Sequence, residues 1–107
     1  VCINTGGEKV FPEEVEEALK RHATVRDAVV VGVPDPRFGE RICAVVEPEA
    51  GAEPTLPELS QHVHSQLAGY KAPRELVVVE TIGRAPNGKV DYKAIKERAL
   101  AALGVSA

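Results

Sequence analysis

The chain has 107 residues, 44% of them apolar and 27% charged, with 13 Lys and Arg against 16 Asp and Glu for a formal net charge of −3. This composition suits one globular domain that buries roughly two-thirds of its unfolded surface, and it excludes a disordered, coiled-coil or collagen-like chain. The acidic excess and the few aromatics, Phe11, Phe38, Tyr70 and Tyr92, argue against a nucleic-acid or anionic-membrane surface. No apolar run approaches the roughly 20 residues of a membrane span, and the start carries no basic-then-apolar signal pattern. Methionine is absent and the chain opens Val1-Cys2-Ile3, so a domain cut from a larger protein is expected. Cys2 and Cys43 do not form a CxxC pair and are expected to be buried, reduced thiols of a cytoplasmic protein.

In chain order, the first helix is predicted from about Pro12 to His22. Pro12 suits the first helical position, and the acidic run Glu13 to Glu17 loads the positive end of the helix dipole as a solvated face. Val15, Ala18, Leu19 and His22 follow i, i+3, i+4, i+7 spacing, one buried stripe with His22 packed or capping at its end. The runs Ala28-Val29-Val30-Val31-Gly32-Val33, Ile42-Cys43-Ala44-Val45-Val46 and Leu76-Val77-Val78-Val79 read as strands covered on both faces. Thr55-Leu56-Pro57-Glu58 has the form of a capping box opening a helix through Leu59, Val63 and Leu67, which Gly69 is placed to end. A last helix after Asp91 carries Ile95, Ala99 and Leu103 inward. The expected fold class is α+β, in the order β-α-β-β-α-β-α, a small, mainly three-stranded sheet with helices packed on it.

Two segments are chemically unusual for connecting loops, Asn4-Thr5-Gly6-Gly7-Glu8-Lys9 and Gly83-Arg84-Ala85-Pro86-Asn87-Gly88-Lys89. Each alone reads as a turn, since paired glycines supply positive φ and Asn-Gly is a hairpin signal. Together with their flanks, Thr5 to Glu16 and Arg84 to Asp91, they resemble two core motifs of the adenylate-forming (AMP-binding) enzymes. That superfamily includes acyl-CoA synthetases, luciferases and the adenylation domains of peptide synthetases. Val33-Pro34-Asp35 with Gly39-Glu40, and Tyr70-Lys71-Ala72-Pro73, fall where the family has similar segments. The resemblance runs from Ile3 to the final helix. It is to the small C-terminal domain, with wording most like a fatty-acyl-CoA synthetase (acyl-CoA ligase).

The resemblance implies a mobile domain over residues 1–107 whose large N-terminal ATP- and acyl-binding domain lies outside this chain. Two half-reactions are implied. A carboxylate first attacks the α-phosphorus of ATP, a meeting of anions that needs a placed positive charge; Lys89, on a glycine-bearing turn, is the candidate catalytic residue. Coenzyme A then takes the acyl group, and its pantetheine arm needs a narrow passage. Gly6 and Gly7 leave such a passage open, with Glu8 and Lys9 on the same coenzyme A face. Rotation between the half-reactions needs a hinge, whose aligned position is Val1. ATP, Mg²⁺ and coenzyme A are thus implied for the full-length enzyme, with none expected tightly bound to this domain alone, and the isolated chain is expected to be inactive. The implied partners are its own N-terminal adenylation domain and a carboxylic, fatty-type acid, without nucleic acid or a transmembrane segment.

Other polar residues are read more plainly. His62 and His64 are two apart and diverge on a helix, so no metal site is expected. Arg37 and Arg41 are given surface roles, with a contact to the coenzyme A diphosphate as the alternative. Lys71 and Arg74 flank a turn, with a contact to the larger domain or the nucleotide left open, and Asn87 shapes its turn. Two other functions stay in view, a peptide-synthetase adenylation domain and a non-catalytic ferredoxin-like binding or interaction module.

Overall fold

The computed structural model describes residues 2–105, so the expected hinge at Val1 lies outside the described residues. Strands β1 (Ile3–Thr5) and β2 (Glu8–Val10) precede helix α1 (Pro12–Lys20), and β3 (Val25–Asp35) and β4 (Gly39–Pro48) follow it. Helix α2 (Leu56–Gln66), a 3₁₀ turn (Gly69–Lys71), β5 (Glu75–Val78) and α3 (Tyr92–Leu103) complete the chain. The α+β class stands, but the sheet has five strands, because a β1–β2 hairpin replaces the single strand expected before α1. Strands of three residues carry too little alternation to be read from a pattern.

The long β3–β4 ribbon is the frame. β4 pairs antiparallel with β3 along its length, and on its other side it meets β1 at Gly39 and runs parallel to β5 from Cys43 to Val46. Successive side chains of a strand point to opposite faces. Ala28, Val30, Ala44 and Val46 therefore face α1 and α2, meeting Val15, Leu19, Leu59 and Val63. Val29, Val31, Val33, Cys43 and Val45 face α3, meeting Ile95, Ala99 and Leu100. Burial on both sides explains the nearly unbroken Val runs of β3 and β4, whereas β5 departs from the expected double cover, its Val78 being 52% exposed.

Helix ends follow local chemistry. The Thr55 N–H donates to the Glu58 carboxylate at 3.4 Å, one half of the capping box, and Asp91 Oδ1 accepts from Ala94 N–H at 3.1 Å to open α3. α2 ends at Gln66, and Gly69 is not its left-handed cap. A Cβ at Gly69 would instead lie 2.9 Å from the exposed His64 ring, which packs against the glycine. Among the described residues no helix is long and apolar enough to cross a membrane.

Candidate functional site

The first unusual segment is a two-residue hairpin loop. Thr5 pairs with Glu8 across Gly6 and Gly7, whose φ values of 59° and 85° give the twist that a tight β-hairpin needs. The Gly6 N–H donates to the Phe38 carbonyl at 2.9 Å, and a Cβ on Gly6 would come within 3.2 Å of the Phe38 ring. A Cβ on Gly7 would meet nothing within 4 Å. Gly6 is thus packed and Gly7 open, while Glu8 and Lys9 are exposed on β2.

Beside this hairpin lies a cavity of about 440 Å³, to which Gly6, Glu8, Phe38, Tyr70, Pro73 and Arg74 contribute. The Arg37 and Arg74 guanidiniums stand 5.3 and 5.8 Å from the Phe38 ring centroid, a cationic and aromatic wall. Phe38 was not legible as a site residue, because only the fold brings the β3–β4 loop against Tyr70 and Arg74 of the segment between α2 and β5. Arg41 is committed to the fold: its Nε donates to Glu75 at 2.9 Å and its Nη1 to the Pro34 carbonyl. Lys71 is paired with Glu14 of α1, whose carboxylate hydrogen bond raises the Lys71 pKa.

The second unusual segment is a β-turn with Pro86 at its second position, closed by Gly88 N–H to the Ala85 carbonyl at 2.8 Å. Asn87 Oδ1 accepts from Lys89 N–H at 3.0 Å, so Asn87 does shape the turn. Gly88 takes a φ of 83°, and Lys89 is exposed beside it. None of the ion pairs among the described residues includes Lys89.

The turn is seated on β3. Arg84 forks onto Asp27, at 2.7 Å from Nε and 2.9 Å from Nη2, while its Nη1 donates to the Gly88 carbonyl at 3.1 Å. Three residues past Lys89, the Tyr92 hydroxyl lies 2.8 and 3.0 Å from the two oxygens of Glu16. Glu16 corrects the expected solvated acidic face, being only 5% exposed. It lies four residues after Pro12 and three before Leu19, within the buried stripe of α1, and its carboxylate meets the Val30 N–H at 2.9 Å.

The two carboxylates shift in opposite directions. Burial pushes Glu16 above its ordinary 4.5, outweighing its hydrogen bonds. Burial alone would also raise Asp27, but the Arg84 guanidinium and the Ala28 amide outweigh it and hold the group below 3.8. Asp27 therefore contributes stability that is present above its unfolded value and lost as pH falls through its folded one. The Glu16 contribution is complete below its unfolded value and lost as pH rises through its folded one. We expect Asp27→Asn to weaken the acid-side loss of stability and Glu16→Gln to weaken the loss above pH 4.5, read as urea midpoints across that range.

The other titratable candidates are structural. His62 Nε2 meets the Ala18 carbonyl at 2.7 Å, whereas His64 lies against Gly69, and His22 Nδ1 meets Thr24 Oγ1 at 2.8 Å. Among the described residues no three His, Cys, Asp or Glu side chains are grouped to hold a metal ion. Both cysteines are free; Cys2 is half-buried, and burial pushes the Cys43 thiol up to about 12.

The structure gathers Gly6, Gly7, Glu8 and Lys9 in one hairpin and sets Lys89 apart from them. The hairpin joins the sheet at Gly39, opposite Asp35, whereas the lysine turn is seated between Asp27 and Val30 on the other edge. Along β3 these points are roughly 15–25 Å apart. Residues 14–89 match the AMP-binding enzyme C-terminal domain family, and the chain belongs to that family.

Several of its relatives are named acyl-CoA ligases. The chain is 59% identical over 97 residues to a medium/long-chain-fatty-acid–CoA/3-oxocholest-4-en-26-oate–CoA ligase of Mycolicibacterium smegmatis, covering 91% of this chain and 18% of that enzyme. It is 56% identical over 98 residues to a 3-oxocholest-4-en-26-oate–CoA ligase of Rhodococcus rhodochrous, covering 92% of this chain and 18% of that one. Among solved structures, a Mycobacterium tuberculosis fatty acyl CoA synthetase superposes with a TM-score of 0.85 at 31% identity, over 94% of this chain and 20% of that one. The chain thus spans about a fifth of the length of the proteins it matches.

Proposed function

We propose that this chain is the mobile C-terminal domain of an ATP-dependent, AMP-forming acyl-CoA synthetase. Its substrates would be a fatty acid or a comparable carboxylic acid, as the names of its relatives suggest. In the first half-reaction a carboxylate oxygen bonds to the α-phosphorus of ATP as the bond to pyrophosphate breaks, giving an acyl-adenylate. The carboxylate is already ionised near neutral pH, so the step needs a cation rather than a base. Lys89 supplies it, and Mg²⁺ travels with the ATP phosphates rather than on side chains of this chain. In the second half-reaction the coenzyme A sulfur bonds to the acyl carbon, its proton goes to solvent, and AMP leaves.

The observation that carries this reading is the exposed Lys89, outside every ion pair among the described residues, on a hydrogen-bonded turn at the end of the sheet away from the glycine hairpin. Two sites so far apart serve one reaction centre in turn if the domain rotates against a large N-terminal partner. The pantetheine arm passes Gly7, flanked by Gly6, Glu8 and Lys9. The cavity beside the hairpin takes the nucleotide end of coenzyme A, with Phe38 and Tyr70 as stacking surfaces and Arg37 and Arg74 for its phosphates. The two free thiols suit a reducing compartment such as the cytoplasm.

In the intact enzyme, Arg74→Ala is expected to raise KM for coenzyme A by about tenfold while leaving the rate of pyrophosphate release unchanged. Steady-state kinetics with coenzyme A as the varied substrate checks this. An unchanged KM in Arg74→Ala and Phe38→Ala alike would move the nucleotide elsewhere.

A further inference from the structure

We propose that Arg84 and Tyr92 are positioning residues for the adenylation lysine, anchored through Asp27 and Glu16 to the outer edge of β3. This rests on the assignment of Lys89 above. β3 pairs with β4 on one side only, which leaves the outward N–H groups of Ala28 and Val30 without a strand partner. Carboxylates fill that place: Asp27 Oδ1 accepts from Ala28 N–H at 2.8 Å, and Glu16 Oε2 from Val30 N–H at 2.9 Å. Each carboxylate then holds one more group, and the two groups flank the lysine turn, Arg84 before it and Tyr92 at the start of α3.

Asp27 receives the Arg84 fork, five residues before Lys89, and Glu16 receives the Tyr92 hydroxyl, three residues after it. The third Arg84 donor takes the Gly88 carbonyl, and Asn87 takes the Lys89 N–H, so the peptide unit between Gly88 and Lys89 is held at both its oxygen and its nitrogen. α1 packs on one face of the sheet and α3 on the other; Glu16 and Tyr92 join them around the open edge. Burying a carboxylate in this place is costly, and apolar residues of similar volume would hold two helices at least as well. What the polar clamps add is geometry. A lysine on a four-carbon stem reaches a given phosphate only if its backbone is fixed, and a misplacement of about 1 Å can cost about 10²-fold in rate.

The test uses the intact enzyme with Tyr92→Phe, which removes one hydroxyl, and Arg84→Lys, which keeps the charge and removes the fork. Pyrophosphate release in a single turnover should fall about tenfold in each, with KM for ATP and acid nearly unchanged and thioester formation from supplied acyl-adenylate within about twofold of wild type. Neither substitution should slow adenylation further in a Lys89→Ala background, because both act through that side chain. Equal loss of both half-reactions, or the same tenfold loss without Lys89, would reduce the clamps to fold stability and overturn the inference. So would wild-type adenylation in Tyr92→Phe, a variant mild enough to fold even if Arg84→Lys does not. Wild-type adenylation in Lys89→Ala would be a different failure, removing the assignment of Lys89 and this inference with it.

Discussion

Lys89→Ala in the intact enzyme is expected to slow pyrophosphate release by about 10²–10³-fold, the usual cost of deleting one preorganised electrostatic donor. Conversion of supplied acyl-adenylate to thioester should stay within about twofold of wild type, since the proposed function gives that step to the other end of the domain. The substitution is a clean probe because Lys89 is exposed and joins none of the ion pairs among the described residues. Its turn is held by backbone bonds, Asn87 and Arg84, none of which needs the ammonium. Stability should therefore stay within about 0.5 kcal/mol of wild type. Lys89→Arg should recover little, because a planar fork does not replace a compact, mobile ammonium.

The opposite lesion comes from Gly7→Trp, for which thioester formation should fall about 10²-fold or more while pyrophosphate release persists. A side chain at Gly7 enters open space, with nothing within 4 Å of its Cβ, so the indole projects outward into the path proposed for the pantetheine arm. The residue must still hold a φ of 85°, a strain of about 1–2 kcal/mol that is small beside a blocked passage. Gly7→Asn separates the two effects, since Asn tolerates left-handed backbone. It should keep far more thioester formation than the tryptophan variant, and stopped-flow assays of each half-reaction check both.

What could be read from the residues depended on how local its cause was. The Val-rich runs at 28–33 and 42–46 announce strands buried on both faces, and the structure divides their alternate side chains between two helical layers. The glycine pair and the Pro-Asn-Gly-Lys turn were legible because each carries its own backbone chemistry. Glu16 was misread because its neighbours Glu13 and Glu17 are solvent-facing, while its partners lie 14 and 76 residues away. Its place in the Pro12-to-Leu19 stripe was the available signal. In the Phe38–Tyr70–Arg74 wall, the family-like segment at Tyr70 and the neighbouring Arg74 carried a signal, whereas Phe38 had none, since only the fold brings the β3–β4 loop against them. Arg41 looked like a surface cation until Glu75, 34 residues on, supplied its partner.

In the proposed function, one small domain brings two distant surfaces to a single reaction centre in turn. Single-turnover rates of both half-reactions, measured side by side for Lys89→Ala and Gly7→Trp in the intact enzyme, test it most directly. The account predicts a mirror image, adenylation lost with thioester formation kept in the first variant and the reverse in the second. Parallel loss of both steps in both variants would contradict it.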